Sequence, residues 1–291
     1  MKPPVVDYAR ANSVAEAVDL LGRYGDESKV LAGGQSLIPM LNMRFAFPTM
    51  LIDINHIKET SSVEVHEDVV VIGATVRQSG AQLSREVQSH VPLLAQALPH
   101  VGHFVTRNRG TIGGSVVHAD ARGEVPLVLA TLGGQVVVVS ASGRRTIEAA
   151  DLFVTHFTTS IADDELLVET RWPAPGRSWG YAFREFSLRH GDYALGMVAC
   201  SVHREGGVVQ EASVALGAVA DRPVVLKEVA ASLVGKPLNE PAAVAAGKVV
   251  TESVNPSSDL HASDRYRRHL AGLLTKRALL AAWADSGGDL S

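Results

Sequence analysis

Cysteine is almost absent from this chain. Its 291 residues include one, Cys200, too few for a disulfide, an iron–sulfur cluster or a cysteine zinc site, and its apolar surroundings mark it as a core residue. The eleven histidines contain no His-x-x-x-His or His-Glu-x-x-His pattern, so no metal ligand is assigned. Excess charge is missing too: a net charge of −4 advertises no basic face for nucleic acid. The start, Met1-Lys2-Pro3-Pro4-Val5-Val6-Asp7, has no apolar signal region, and no run approaches the roughly 18 apolar residues that a membrane helix needs. The expectation is a soluble, cytoplasmic chain with no membrane insertion. There is no internal repeat, low-complexity tract or long charge run.

What is present is apolar material for a sizeable core, 46% of the residues, in a length that suits two domains. Two glycine-rich segments stand out within it. The first runs from Leu31 through Ala32-Gly33-Gly34-Gln35-Ser36-Leu37 to Phe45. A strand end meets a glycine pair, then Leu37, Met40, Leu41 and Arg44 recur at helical spacing, with Ser36 placed to cap the helix and Pro39 in its first turn. Glycines without side chains let the backbone turn sharply and bring N–H groups against an anion, which suits a nucleotide diphosphate. An ordinary strand-to-helix turn has the same pattern. The second segment, Arg107-Asn108-Arg109-Gly110-Thr111-Ile112-Gly113-Gly114-Ser115, repeats the device, and two such loops could clamp one dinucleotide. Neither carries the Gly-Lys-Ser/Thr of a Walker A loop or the Gly-x-Gly-x-x-Gly of a Rossmann fold.

In order, the pattern predicts a helix over Val14 to Tyr24 with a Ser13/Glu16 capping box, a strand from Lys29 to Ala32, and a strand from Met50 to Ile54. A hairpin follows over Val63 to Val65 and Val69 to Gly73, then a helix opened by Thr75 and Gln78. Further helices are expected over Pro92 to His100 and Pro126 to Leu132, and a hairpin over Gln135 to Val139 and Arg144 to Ile147. The Pro/Gly-rich run Trp172 to Gly176 places the main domain boundary there. It divides 1–175, with subdomains of about 1–56 and 57–175, from 176–291. Beyond it, Tyr181 to Leu188, Leu195 to His203 and Val208 to Gly217 read as three antiparallel strands. Helical patterns cover Val224 to Leu233, Pro241 to Ser253 and Asp264 to Asp285.

His118, Asp120 and Glu124 cluster after the second segment. They suit acid–base chemistry, and equally the carboxylates expected near a helix start. Glu124 is read as an acceptor for ligand hydroxyls, and no residue is assigned a catalytic role.

Three stretches together, Ala32 to Ser36, Arg107 to Ser115 and Arg189-His190-Gly191-Asp192-Tyr193-Ala194, resemble the FAD-binding medium subunit of molybdenum hydroxylases, the family of carbon monoxide dehydrogenase and xanthine dehydrogenase. The resemblance covers essentially the whole chain. It implies an α+β fold: a two-lobed, non-Rossmann (PCMH/VAO-like) FAD-binding domain followed by a C-terminal α+β domain with a three-stranded antiparallel sheet and helices. It implies that the pyrophosphate and ribityl region of FAD lie on Leu31, Ala32, Gly33, Gly34, Gln35, Ser36 and Leu37 and on Thr111, Ile112, Gly113, Gly114 and Ser115. Val101 stands in the approach to the second segment. Glu124 matches a carboxylate that contacts FAD, Leu167 a backbone contact near the flavin ring, Arg184 a position often filled by lysine, and Tyr193 an aromatic beside the isoalloxazine. Two departures matter. Gln35 stands where many flavoproteins of this wider fold carry a histidine, in some distant relatives a covalent attachment point, so the FAD is expected to be non-covalent. Asp120-Ala121 replaces a more usual Asp-Pro.

The implied function is electron transfer. A partner large subunit with molybdenum–pterin would oxidise substrate, a small subunit with [2Fe-2S] clusters would relay electrons, and this chain's FAD would pass them to a terminal acceptor. The alternatives are a self-sufficient flavin oxidoreductase of the same superfamily, such as an enolpyruvyl reductase, and a flavin-free scaffold.

Overall fold

The computed structural model describes residues 1–176 and 178–289. The first lobe is a parallel three-stranded sheet in the order β1-β3-β2, built from β1 (Asp7–Arg10), β2 (Ser28–Leu31) and β3 (Met50–Asp53). Helix α1 (Val14–Tyr24) connects β1 to β2, and α2 (Leu37–Met43) lies between β2 and β3. The Ser13 hydroxyl caps α1 by accepting the Glu16 N–H at 3.1 Å, while the Glu16 carboxylate accepts the Asn12 N–H at 2.8 Å, one residue upstream of the expected box. Gly25 ends the helix at a φ of 48°. The expected Ser36 cap is not made. That residue is itself helical (φ −104°, ψ −48°) rather than extended, as a capping residue is, and its hydroxyl makes no cap hydrogen bond.

The second lobe carries a five-stranded antiparallel sheet in the order β4-β5-β10-β6-β7: β4 (Val63–His66), β5 (Val69–Gly73), β6 (Gln135–Ser140), β7 (Gly143–Glu148) and β10 (Leu166–Pro173). Small helices α3 (Gln78–Leu83), α4 (Arg85–His90), α5 (Pro92–Ala97), α6 (Phe104–Arg107), α7 (Ile112–His118) and α8 (Glu124–Thr131) fill one face. Helix α9 (Ala149–Leu152) and the short pair β8 (Phe153–Thr155) and β9 (Thr158–Thr159) complete it. Thr75 does not cap α3, because its hydroxyl donates to the Thr60 carbonyl at 2.8 Å. Helix α4, which the pattern left unread, is capped by Ser84.

The run Val136 to Val139 is apolar at every position because this sheet is covered on both faces. Val136 and Val138 join the core under the small helices. Val137, with Leu166 and Val168, packs instead against Ala17, Val18 and Leu21 of α1. The first lobe is thereby fixed on the back of the second lobe's sheet.

The C-terminal part is a sheet of β11 (Trp179–Phe186), β12 (Gly196–Glu205) and β13 (Val208–Gly217), with a fourth strand, β14 (Val224–Val225), added at the edge. Those two residues were expected to open a helix, which instead begins at Lys227 as α10 (Lys227–Leu233). Helices α11 (Glu240–Ser253) and α12 (Asp264–Asp285) pack on one face, over Ala182, Val198, Cys200 and Leu216. They approach so closely that a Cβ on Gly247 would lie 2.6 Å from the Gly272 carbonyl oxygen. The opposite face, with Tyr181, Phe183 and Ala199, shares the second lobe's core. The edge of β11 is satisfied by Gln96 of α5, whose amide donates to Tyr181 O at 3.2 Å and accepts Phe183 N–H at 3.0 Å.

Candidate functional site

Strand β2 runs into the first glycine segment, where Gly34 adopts a φ of +71°. A Cβ there would be strained by conformation and would crowd Ile38 at 3.1 Å. A Cβ on Gly33 would collide with the backbone of Arg109 and Gly110, so the two glycine segments touch at this point. Among the described residues no protein acceptor meets the N–H groups of Gly33, Gly34, Gln35, Ser36 and Leu37, and the first to bond back is Ile38, to the Gly34 carbonyl at 3.1 Å. Five successive donors are left for a ligand. The Gln35 amide folds back to donate to the Gly33 carbonyl at 3.2 Å.

The second segment is built differently. It is not a loop: Ile112 begins α7, and the Thr111 hydroxyl caps it by accepting the Gly114 N–H at 3.0 Å. Ile112 N–H donates to Val76 O at 2.9 Å, Gly113 N–H to Ala74 O at 3.1 Å and Ser115 N–H to Thr111 O at 3.1 Å. Its donors are consumed by the protein. Gly113 is a glycine because a Cβ would sit 2.7 Å from Ala74.

Asp53, Asn55 and Arg77, which sequence reasoning passed over, hold the two segments together. Asn55 Nδ2 donates to the Ala32 carbonyl at 2.8 Å and to Asp53 Oδ1 at 2.7 Å. Arg77 of the second lobe donates to Asn55 Oδ1 at 2.7 Å and to the Arg109 carbonyl. Burial pushes the Asp53 carboxyl up, but the Tyr8 hydroxyl (2.6 Å) and Asn55 more than offset it and leave it below its ordinary value. No local motif flags these residues, because their meaning lies in contacts between lobes.

The segments border a cleft of about 710 Å³ between the two lobes, within the size range of small-molecule sites. Residues 32–37, Val101, Thr111, residues 113–115, Glu124, Leu167 and Tyr193 all line it. Leu31 lines an adjoining recess of about 350 Å³ with Asn55 and Arg109. Two expected residues stand outside. The Ile112 side chain is fully buried in the core, and the Arg184 guanidinium turns back to the Phe183 carbonyl at 2.8 Å. Tyr193, 66% exposed, stands at the rim on the 187–195 connection.

Below that rim lies a carboxylate pair. Glu124, the first residue of α8, is pushed up to about 7, first by burial and then by Asp120, against the pull of a backbone hydrogen bond and Arg107. Glu185, also absent from the sequence reading, is pushed up to about 8 by burial and by Glu124. Its side chain is 3% exposed, with His100 Nδ1 at 4.0 Å, and its Oε2 has no partner. Burial, then His190, Arg184 and Arg107, push His100 down. Among the described residues no group of three or more potential ligands is placed to hold a metal ion, and Cys200 lies in the core with its thiol pushed up to about 12 by burial. No described helix is long and apolar enough to cross a membrane.

Comparison with known proteins agrees with this architecture. Residues 4–175 match the family model described as the FAD binding domain in molybdopterin dehydrogenase, and residues 181–282 that of the CO dehydrogenase flavoprotein C-terminal domain. The chain is 38% identical to the nicotine 6-hydroxylase medium subunit of Paenarthrobacter nicotinovorans, covering 98% of this chain and 99% of that protein. It is 36% identical to the carbon monoxide dehydrogenase medium chain of Hydrogenophaga pseudoflava, over 98% and 99%. The solved carbon monoxide dehydrogenase of the same organism superposes with a TM-score of 0.95 at 37% identity, covering 98% of this chain and 99% of that one.

Proposed function

The chain belongs to the family of FAD-binding medium subunits of molybdenum hydroxylases, and from that premise we propose that it takes electrons from an iron–sulfur small subunit and passes them through FAD to a terminal acceptor. Molybdenum chemistry then resides on a large partner subunit, and the assembly works in the cytoplasm. The chain is an oxidoreductase component and FAD is its cofactor. Residues 1–175 form the FAD-binding domain in this reading, and 176–291 the domain that closes its rim.

The observation that carries the site assignment is the row of unpaired N–H groups from Gly33 to Leu37. They would take the pyrophosphate, because neighbouring backbone N–H groups with no acceptor in the protein and no side chain at Gly33 and Gly34 suit an anion. Gly113 to Ser115 supply the facing wall and Glu124 accepts ribityl or ribose hydroxyls. Leu167 and Tyr193 bound the ring. Bound FAD supplies a centre that exchanges electrons singly or in pairs, and the protein's part is to bind, orient and desolvate it. Ile112 supports this from the core.

Attachment is non-covalent in this reading, because Gln35 offers no nucleophilic imidazole. Acid precipitation should release all the flavin to the supernatant, and flavin retained on the pellet would refute it. The division of labour is tested by stopped-flow absorbance. The isolated, FAD-loaded chain should bleach with dithionite and reoxidise with an acceptor, yet stay oxidised with candidate substrates of molybdenum hydroxylases until the iron–sulfur and molybdenum chains are added. Substrate-driven bleaching of the isolated chain would favour a self-sufficient flavin enzyme instead.

A further inference from the structure

Two connections wall the rim of the cleft. One carries Arg122 and Gly123 and leads into Glu124 at the start of α8, the other carries Gly191, Asp192 and Tyr193. Both are tied to a single carboxylate in the C-terminal part. Asp259 lies in the connection between α11 and α12, and its Oδ2 accepts Arg122 Nη2 at 2.9 Å and Arg267 Nη2 at 2.7 Å. Its Oδ1 takes the backbone N–H groups of His261 at 2.9 Å and Ala262 at 3.0 Å. Arg267, in the first turn of α12, is 2% exposed and donates through Nη1 to the Leu195 carbonyl at 2.9 Å, at the end of the Tyr193 connection. Leu195 packs with Ala262 and Leu270. The first connection is further held by Ala218 N–H on the Ala121 carbonyl at 2.9 Å.

The Arg267 guanidinium is buried with its Nε lacking a hydrogen-bond partner, and a carboxylate that is 31% exposed returns only part of the cost of burying it. Stability alone is therefore a weak reason for the arrangement. It does join two cofactor-facing segments that share no hydrogen bond of their own among the described residues. Arg267 holds the Asp259 carboxyl well below the ordinary carboxylate range, so the link stays ionised at neutral pH.

We propose that Asp259 and Arg267 are positioning residues through which the C-terminal part sets the placement of Glu124 and Tyr193 around the flavin without touching it. The inference rests on FAD occupying the cleft. The test uses the full chain with Asp259→Asn, Asp259→Glu and Arg267→Lys. Glu240→Gln serves as a control, since it breaks an exposed pair with Lys276 on the same helices (2.7 Å) away from the cleft. FAD affinity, the visible circular dichroism of bound flavin and its midpoint potential are read together with the melting temperature. Asp259→Asn and Arg267→Lys should weaken FAD by about tenfold or more, the scale of a lost charge-assisted hydrogen bond, and change the dichroism and potential. Asp259→Glu should recover part of the loss, and Glu240→Gln should match the parent.

A lower melting temperature with parental affinity, dichroism and potential would mark the network as structural only and overturn the proposal. Should Asp259→Asn fail to fold, Asp259→Glu and Arg267→Lys carry the test, and parental flavin affinity, dichroism and potential in both would overturn the proposal equally. A parent chain that binds no FAD would instead refute the underlying reading and the inference with it.

Discussion

The two glycine segments look alike in the sequence and do opposite things in the fold. Gly33-Gly34 bends the chain where five N–H groups are left open, and Gly34 owes its identity to a positive φ. Gly113-Gly114 lies in the first turn of α7, its two donors spent on the Ala74 carbonyl and the Thr111 hydroxyl, and Gly113 owes its identity to contact with Ala74. One leaves its donors open and the other spends them on packing. A glycine pair thus reports a close approach without saying whether ligand or protein makes it.

Substitution should separate the two most sharply at the glycines. Gly113→Val forces two methyl groups toward Ala74 and should cost about 1–3 kcal/mol or more through overpacking, read as a clear fall in melting temperature with or without FAD. Gly34→Val lies in a turn and should cost about 1–2 kcal/mol of backbone strain, while lowering FAD affinity by far more than that strain explains. If Gly34→Val titrates with FAD like the parent, the cradle assignment is wrong. The hydroxyls give a milder version of the same contrast. Thr111→Val removes a helix cap and should cost about 1 kcal/mol of stability with a small change in affinity. Ser36→Ala should leave the melt unchanged and weaken FAD, because its hydroxyl makes no helix cap. The reverse outcome for this pair would exchange the roles of the two segments.

The smallest effect is expected at Glu124, which lines the cleft, and at Glu185, buried close to it. Glu124 and Glu185 are raised to about 7 and about 8, so the folded chain binds their protons more tightly than the unfolded chain does. Their contribution favours folding in acid and is lost as pH rises from the ordinary carboxylate range to about 8. Glu185→Gln should raise the melting temperature of the FAD-free chain by about 2–4 °C near pH 8.5, leave it nearly unchanged near pH 4, and flatten the profile between. A profile as steep as the parent's would show that Glu185 is not the group responsible.

Periodicity and caps carried much of the local structure. Helix α1 spans Val14–Tyr24 as its apolar spacing and Ser13 cap predict, and the three long C-terminal strands lie close to where the strand-like runs place them. Local reasoning failed where a residue's partner was distant. Thr75 and Ser36 have the right chemistry for caps, but Thr60 takes the one and the other sits on helical rather than extended backbone. Val224–Val225 pairs with β13 because an open sheet edge was available, which helical spacing cannot reveal.

The sequence by itself determined most of the long helices and strands, the sharp turn at Gly33-Gly34 and, through three short stretches taken together, the family. These depend on backbone conformation and side-chain period, which neighbours in the chain set. Only the tertiary structure decided which N–H groups remain free, that Ile112 faces the core while Ser115 faces the cleft, and that Asp53, Asn55 and Arg77 lock one lobe to the other. It also decided that Glu185 is buried beside Glu124 and that Asp259 joins two rim connections. Hydrogen-bond satisfaction and desolvation are properties of packed surroundings, and those come from segments far apart in the chain.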